Sequence, residues 1–296
     1  MNTDKKNIQR DFLLAMGAFV IAFALWQFRP LSPVVYPLRL FVTFIHELGH
    51  GTAAEITGGD FLRFQVESTG AGLAYSSGGI RPIVISAGYV GTAIFGAVLL
   101  FVANRVHRPE RVALVLGIAF IALTIFYSGF GFGNLNLLTG VLVIGAIGAA
   151  GYGFMKAKTD QHRLYALVGL AAGILLTIYL AAGNNRYTVI IGILSGVVLI
   201  VIGYYGTRDI ALFTMNFLAF VVGLNAISDG WVLLQIVSRP DLVLRNDAVS
   251  MADATPLPAI FWAVVWILLA VVLLGGATWF TFIRPLRIAK SSGSDL

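Results

Sequence analysis

His46-Glu47-Leu48-Gly49-His50 is the stretch of this 296-residue chain best equipped for chemistry, an H-E-x-x-H motif inside an apolar run from Val34 to Thr57. On a helix, residues four apart share a face one turn apart, so the imidazoles of His46 and His50 can reach a single metal ion. Glu47 follows the first histidine directly, where its carboxylate can take a proton from a metal-bound water. Zn2+ suits this ligand set: imidazole nitrogen binds it well, and it lowers the pKa of bound water to about 7. The alternative is a chance motif whose histidines are ordinary buried polar groups. The setting weighs against it. A charge inside a membrane span costs roughly 3 kcal/mol or more, so an intramembrane Glu47 between two histidines is a functional group by default.

A catalytic zinc takes three protein ligands and leaves one position for water. With no cysteine in the chain, the third must come from His, Asp or Glu. His107 and His162 fall in basic loops, at the wrong depth for the motif, and Glu55 lies more than a turn beyond His50. Asp209 stands beside Arg208, where a surface pair is the natural reading. Asp229 is an acid well inside an apolar run, Ile210 to Val237, remote from the motif, and is the expected third ligand. Gly230 follows it, so Asp229 could also cap a helix break; the two roles are compatible. Asn225, one turn before, could orient Asp229 or donate to a tetrahedral oxyanion. It could equally make a plain interhelical contact, and the sequence leaves that open.

The elements that position these groups are membrane helices. Hydrophobic residues make up 58% of the chain and charged ones only 11%, the balance of an integral membrane protein. The net charge of +6 could suggest nucleic acid, but the basic residues sit singly or in small groups between apolar runs, as membrane topology requires. No nucleic-acid partner is expected. The apolar runs are Phe12–Phe28, the motif run, Ile83–Asn104, Val112–Tyr127, Leu135–Met155, Leu164–Ala182, Tyr187–Tyr205, Ile210–Val237 and Ala259–Ile283. They predict an all-α polytopic integral membrane protein of about nine transmembrane helices. The first run ends in Trp26, Phe28 and Arg29 without a small-x-small cleavage site, so it reads as an uncleaved span.

Pro30, Pro33 and Pro37 lead into the motif helix, which places His46 about ten residues, or ~15 Å, inside it. Gly58-Gly59 stops that helix. In the segment 60–79, Leu62, Phe64 and Val66 alternate with Arg63, Gln65 and Glu67, and Ser68 to Gly72 is turn chemistry, so a β-hairpin follows. Its edge could pair with an unwound substrate segment, or it could be a connector without a catalytic part. Gly88, Thr92 and Gly96 form a small-residue stripe for close packing, with the motif helix as expected partner. The segment from Arg239 to Pro258, with Asp241, Asp247 and Asp253, reads as a polar loop. The expected organisation is a polar segment 1–11, one transmembrane helical domain 12–283 and a polar tail 284–296. Within the domain lie the motif helix 35–57, the hairpin 60–79 and the distal Asp helix 210–237. Lys and Arg are somewhat richer on the side that would hold the C-terminus, which puts that end in the cytoplasm, whereas Lys5, Lys6 and Arg10 argue the other way for the N-terminus.

The chain resembles the site-2 protease family of intramembrane zinc metalloproteases, in particular its peptidase M50B-like branch. His46-Glu47-Leu48-Gly49-His50 is similar to the family's H-E-x-G-H, and the segment 58–79 to its membrane-associated hairpin. Asn225-Ala226-Ile227-Ser228-Asp229-Gly230 resembles a reduced form of its distal Asn…Asp-Gly motif, whose Asp is a zinc ligand. Where the family often has Gly-Pro-x-x-Asn, this chain has Gly88-Tyr89-Val90-Gly91-Thr92. The expectation is an intramembrane zinc metalloprotease of a bacterial inner (plasma) membrane. His46, His50 and Asp229 would hold Zn2+, and Glu47 would activate its water against a peptide bond in or near a transmembrane segment. Its partners would be membrane lipid and a membrane-protein or peptide substrate; the sequence does not speak to oligomeric state. The rival readings are a catalytically silent metal-binding scaffold and a cation or proton transporter using the intramembrane His and Asp. The absence of a convincing internal repeat counts against transport.

Overall fold

The computed structural model of the chain describes residues 3–27, 29–129, 182–239 and 245–285, with isolated positions between 145 and 173. In chain order these form α1 (Thr3–Gln27), α2 (Ser32–Ile56), β1 (Asp60–Val66), β2 (Gly72–Ser77), α3 (Arg81–Arg105) and α4 (Pro109–Tyr127). There follow α5 (Arg186–Tyr205), α6 (Arg208–Val237), the short α7 (Asp247–Ala254) and α8 (Ala259–Thr278), which runs on into a π-helical turn at Trp279–Ile283.

Six helices among the described residues are long and apolar enough to cross a membrane: α1 from Gln9, α3, α4, α5 with its leading turn, α6 and α8. The motif helix α2 has 25 residues but is not one of the six; Arg39, Glu47, Glu55 and the two histidines dilute its apolar run. The runs expected at 135–155 and 164–182 fall almost wholly outside the described residues. Among the described residues the structure is thus mostly helical with six candidate spans, and the expected count of nine is not shown. The segment 3–11 continues α1 as helix.

Small residues set the helix crossings, because without Cβ atoms two backbones can approach closely. A Cβ on Gly117 of α4 would lie 2.6 Å from the Gly196 carbonyl of α5, and one on Gly196 would lie 2.7 Å from that of Gly117. Gly96 of α3 faces Ala219 and Gly223 of α6, so the lower part of the small-residue stripe packs on α6 and not on the motif helix. The same pair of helices is joined by Asn104, whose amide donates to Asn216 Oδ1 at 2.6 Å. Arg208 at the start of α6 grips Asp11 of α1 through two bonds of 2.7 Å.

The hairpin is antiparallel, pairing Phe64 with Ala74 and Val66 with Gly72, with a register shift between Phe61 and Arg63. That bulge changes which residues face inward. Phe61, Phe64 and Val66 are buried and Leu62 is exposed, where strict alternation places Leu62 inside. Phe64 stacks edge-on against Phe44 of α2 at 5.0 Å, and Phe44 in turn meets Phe120 of α4 at 5.7 Å. The buried Val66 N–H donates to Thr188 Oγ1 of α5 at 2.7 Å. Thr188→Val keeps the shape but strands that N–H, so it should destabilise the protein by about 1–3 kcal/mol in thermal or denaturant unfolding.

Candidate metal centre

A helix can present His46, Glu47 and His50 to one site only if it is held in place on several sides. The α2 helix ends in a Schellman arrangement: Gly58, at φ +84°, lets Gly58 N–H reach Glu55 O at 3.2 Å and Gly59 N–H reach Ala54 O at 2.8 Å. The hairpin is tied along the same helix. Tyr36 Oη donates to Ser68 O, Thr43 Oγ1 donates to Gly70 O, both at 2.8 Å, and Phe61 N–H donates to Glu55 Oε1 at 2.9 Å. The outcome is that β2 lies over Glu47. A Cβ on Gly72 would press on Glu47 Cγ and Thr43 Cγ2, each at 2.7 Å, and the Ala74 backbone bonds the Glu47 carboxylate. Glu47 is 5% exposed and His50 9%, so both are positioned by packing on all sides.

His50 Nδ1–H donates to the Val84 carbonyl of α3 at 2.7 Å. A fixed bond at Nδ1 settles the ring's orientation and turns Nε2 toward the site. There the two histidines meet a third side chain: Asp247 Oδ2 lies 3.1 Å from His46 Nε2 and 3.4 Å from His50 Nε2. Ligand atoms of His46, His50 and Asp247 all lie within 4.8 Å of one another, the metal-capable group found among the described residues. In a tetrahedral shell with bonds of about 2.0–2.2 Å, neighbouring ligand atoms stand about 3.3–3.6 Å apart. Two imidazole nitrogens and a carboxylate oxygen are donors that suit zinc, and the two nitrogen–oxygen separations of 3.1 and 3.4 Å lie near that range.

Asp247 reaches the site because α7 folds back beneath the ends of its neighbours. Asn246 caps the helix, its Oδ1 accepting from Val249 N–H at 3.0 Å. Ala248 and Met251 point inward and pack with Leu233 of α6 and with Ala263 and Trp266 of α8. At the other end, Trp262 Nε1–H donates to Thr255 Oγ1 at 3.0 Å. Burial alone would push the Asp247 carboxyl up, but hydrogen bonds from His46 and His50 outweigh it and hold it below the usual carboxylate range.

Asp229, expected as the third ligand, is not within this group. It is exposed on α6 and accepts a hydrogen bond from the Asn225 amide one turn earlier. No helix break follows it: α6 continues unbroken to Val237. Of the roles open to Asn225, the one seen is the bond to Asp229. His107 and His162 are exposed, away from the group. Asp247 is the residue that reading the sequence missed. Asn246-Asp247 is a helix-start signature, and Ala248 and Met251 have helical spacing, but nothing local shows that so short a helix turns inward.

Gly88 of α3 closes the third side. A Cβ there would collide with Nε2 of both histidines and lie 2.6 Å from His46 Cε1. Gly88→Ala should leave the fold intact, since Ala favours helix by about 1 kcal/mol over Gly, and should weaken metal binding by at least tenfold in a zinc titration.

The family model described as Peptidase M50B-like matches residues 14–152 and 140–277. The chain belongs to the Peptidase M50B-like family. That places it among peptidases, and with the six long apolar helices among the described residues marks it as an integral membrane protein. Comparison with curated proteins and with solved structures gives no match. In this Peptidase M50B-like chain both the H-E-x-x-H helix and the hairpin fall in the first matched stretch, and Asp229 and Asp247 fall in the second.

Proposed function

We propose that this protein is an intramembrane zinc metalloprotease that hydrolyses a peptide bond in or near a transmembrane segment of its substrate. The observation that carries this reading is the convergence of His46, His50 and Asp247 beside a buried Glu47. His46 Nε2, His50 Nε2 and an Asp247 oxygen would hold the metal. When bound, the metal supplies Lewis acidity, polarising a carbonyl and lowering the pKa of water to about 7. Glu47 accepts the proton of the attacking water at its carboxylate and returns it to the leaving amine. Val84 holds His50 in the productive orientation through Nδ1. Asp229, oriented by Asn225, is on this reading not a ligand.

The substrate is a membrane-protein segment that has locally lost its helix, because an intact helix engages its own carbonyls. An apolar groove of about 1010 Å³, lined by Leu48, Ile94, Val98, Phe120, Trp262 and Leu269 among others, supports a hydrophobic substrate or lipid alongside. On this reading the protein sits in a bacterial inner (plasma) membrane. The test is cleavage of a transmembrane peptide by the purified protein in detergent, with and without a zinc chelator. Cleavage that chelation abolishes and zinc restores supports the proposal. Stoichiometric zinc with no cleavage of any tested segment would favour a silent scaffold instead.

A further inference from the structure

We propose that the Tyr89 hydroxyl is the donor that stabilises the negative oxygen of the tetrahedral intermediate; the inference rests on the proteolytic reading above. Tyr89 follows Gly88 on α3, and its ring stands edge-on to the ligand His46, with centroids 4.9 Å apart and planes at 85°. Trp266 of α8 stacks on the same ring at 5.1 Å and 10°. Trp266 is itself buried in the cluster that holds α7 and hence Asp247. The phenol ring is thus held by contacts to a proposed metal ligand and to the cluster that seats α7, the preorganisation an oxyanion donor requires.

The surroundings of the hydroxyl give its address. The carboxylates whose charges bear on it are those of Asp247, Asp229 and Glu47. A phenol carries one O–H donor. None of the hydrogen bonds among the described residues uses it, whereas the rival donor, the Asn225 amide, is engaged with Asp229. Tyr89 also stands in the stretch Gly88 to Thr92 that occupies the place of the family's Gly-Pro-x-x-Asn.

The step balances without a further reagent. Water oxygen bonds to the peptide carbonyl carbon, its proton passes to Glu47, and the carbonyl π pair moves onto oxygen, where the Tyr89 O–H hydrogen-bonds it. The pair then returns, the C–N bond breaks, and the proton held by Glu47 goes to the departing nitrogen. Tyr89 keeps its own proton throughout.

Tyr89→Phe removes one oxygen and keeps the ring contacts to His46 and Trp266. With the full-length protein in detergent, the expected result is a kcat lower by about 10²–10³-fold, with KM and zinc content unchanged. A phosphonamidate peptide, which mimics the tetrahedral oxygen, should bind the variant more weakly than wild type by a comparable factor. A hydroxamate, which grips the metal, should bind both alike. A kcat within threefold of wild type overturns the inference and leaves the proteolytic reading standing. Loss of zinc or of folding overturns it too, since Tyr89 would then support the site without acting in the reaction. Failure of the wild-type protein to cleave any segment sinks the proteolytic reading and this inference with it.

Discussion

Glu47→Gln should leave zinc bound at the wild-type level and lower peptide cleavage by about 10²–10⁴-fold. The amide keeps the shape of the carboxylate, so the contacts with Gly72 and the Ala74 backbone that seat the side chain survive. What it loses is the ability to accept a proton. Glu47 takes no part in the His46, His50 and Asp247 group, so metal content should not follow activity down. Measuring zinc and turnover on the same preparation checks both halves. Proteolysis at the wild-type rate would remove Glu47 from the mechanism, and parallel loss of zinc would make it a ligand.

Asp247→Ala should have the second large effect, on metal rather than on proton transfer. It takes away the oxygen that both imidazoles approach, at 3.1 and 3.4 Å, and leaves two ligands where zinc sites of this kind use three. Zinc affinity should fall by more than the roughly 10–100-fold typical of losing an outer-shell partner, and cleavage should fall with it. The matched control is Asp229→Ala, which leaves the ligand group complete and should retain zinc. Calorimetric or competition titrations of both variants separate the two aspartates. Zinc kept by Asp247→Ala and lost by Asp229→Ala would return the third position to Asp229.

Much of this arrangement can be read from the chain because it is local. The H-E-x-x-H spacing puts two imidazoles on one helical face, the Gly58-Gly59 stop ends that helix, and the alternation after it makes a strand pair. The apolar runs mark the spans, six of them among the described residues. What cannot be read locally is how distant segments converge. Elimination favours Asp229 because it assumes that a ligand at membrane depth must sit on a spanning helix. Asp247 reaches the two histidines from outside the spanning helices, on a short helix capped by Asn246 and seated by Ala248 and Met251. The bulge between Phe61 and Arg63 is a second case, since a one-residue shift exchanges Leu62 for Phe61 on the buried face without altering composition. Gly88 is a third: the small-residue stripe is visible, but only the packed structure shows its first member against the two histidines.

X-ray absorption at the zinc edge, on the full-length protein loaded with one equivalent of zinc, probes this centre most directly. The expected spectrum has two imidazole nitrogens and carboxylate or water oxygen in a four-coordinate shell at about 2.0–2.1 Å, and Asp247→Ala changes its oxygen contribution while Asp229→Ala does not. A zinc shell without imidazole, or a protein that takes up no zinc, would contradict it.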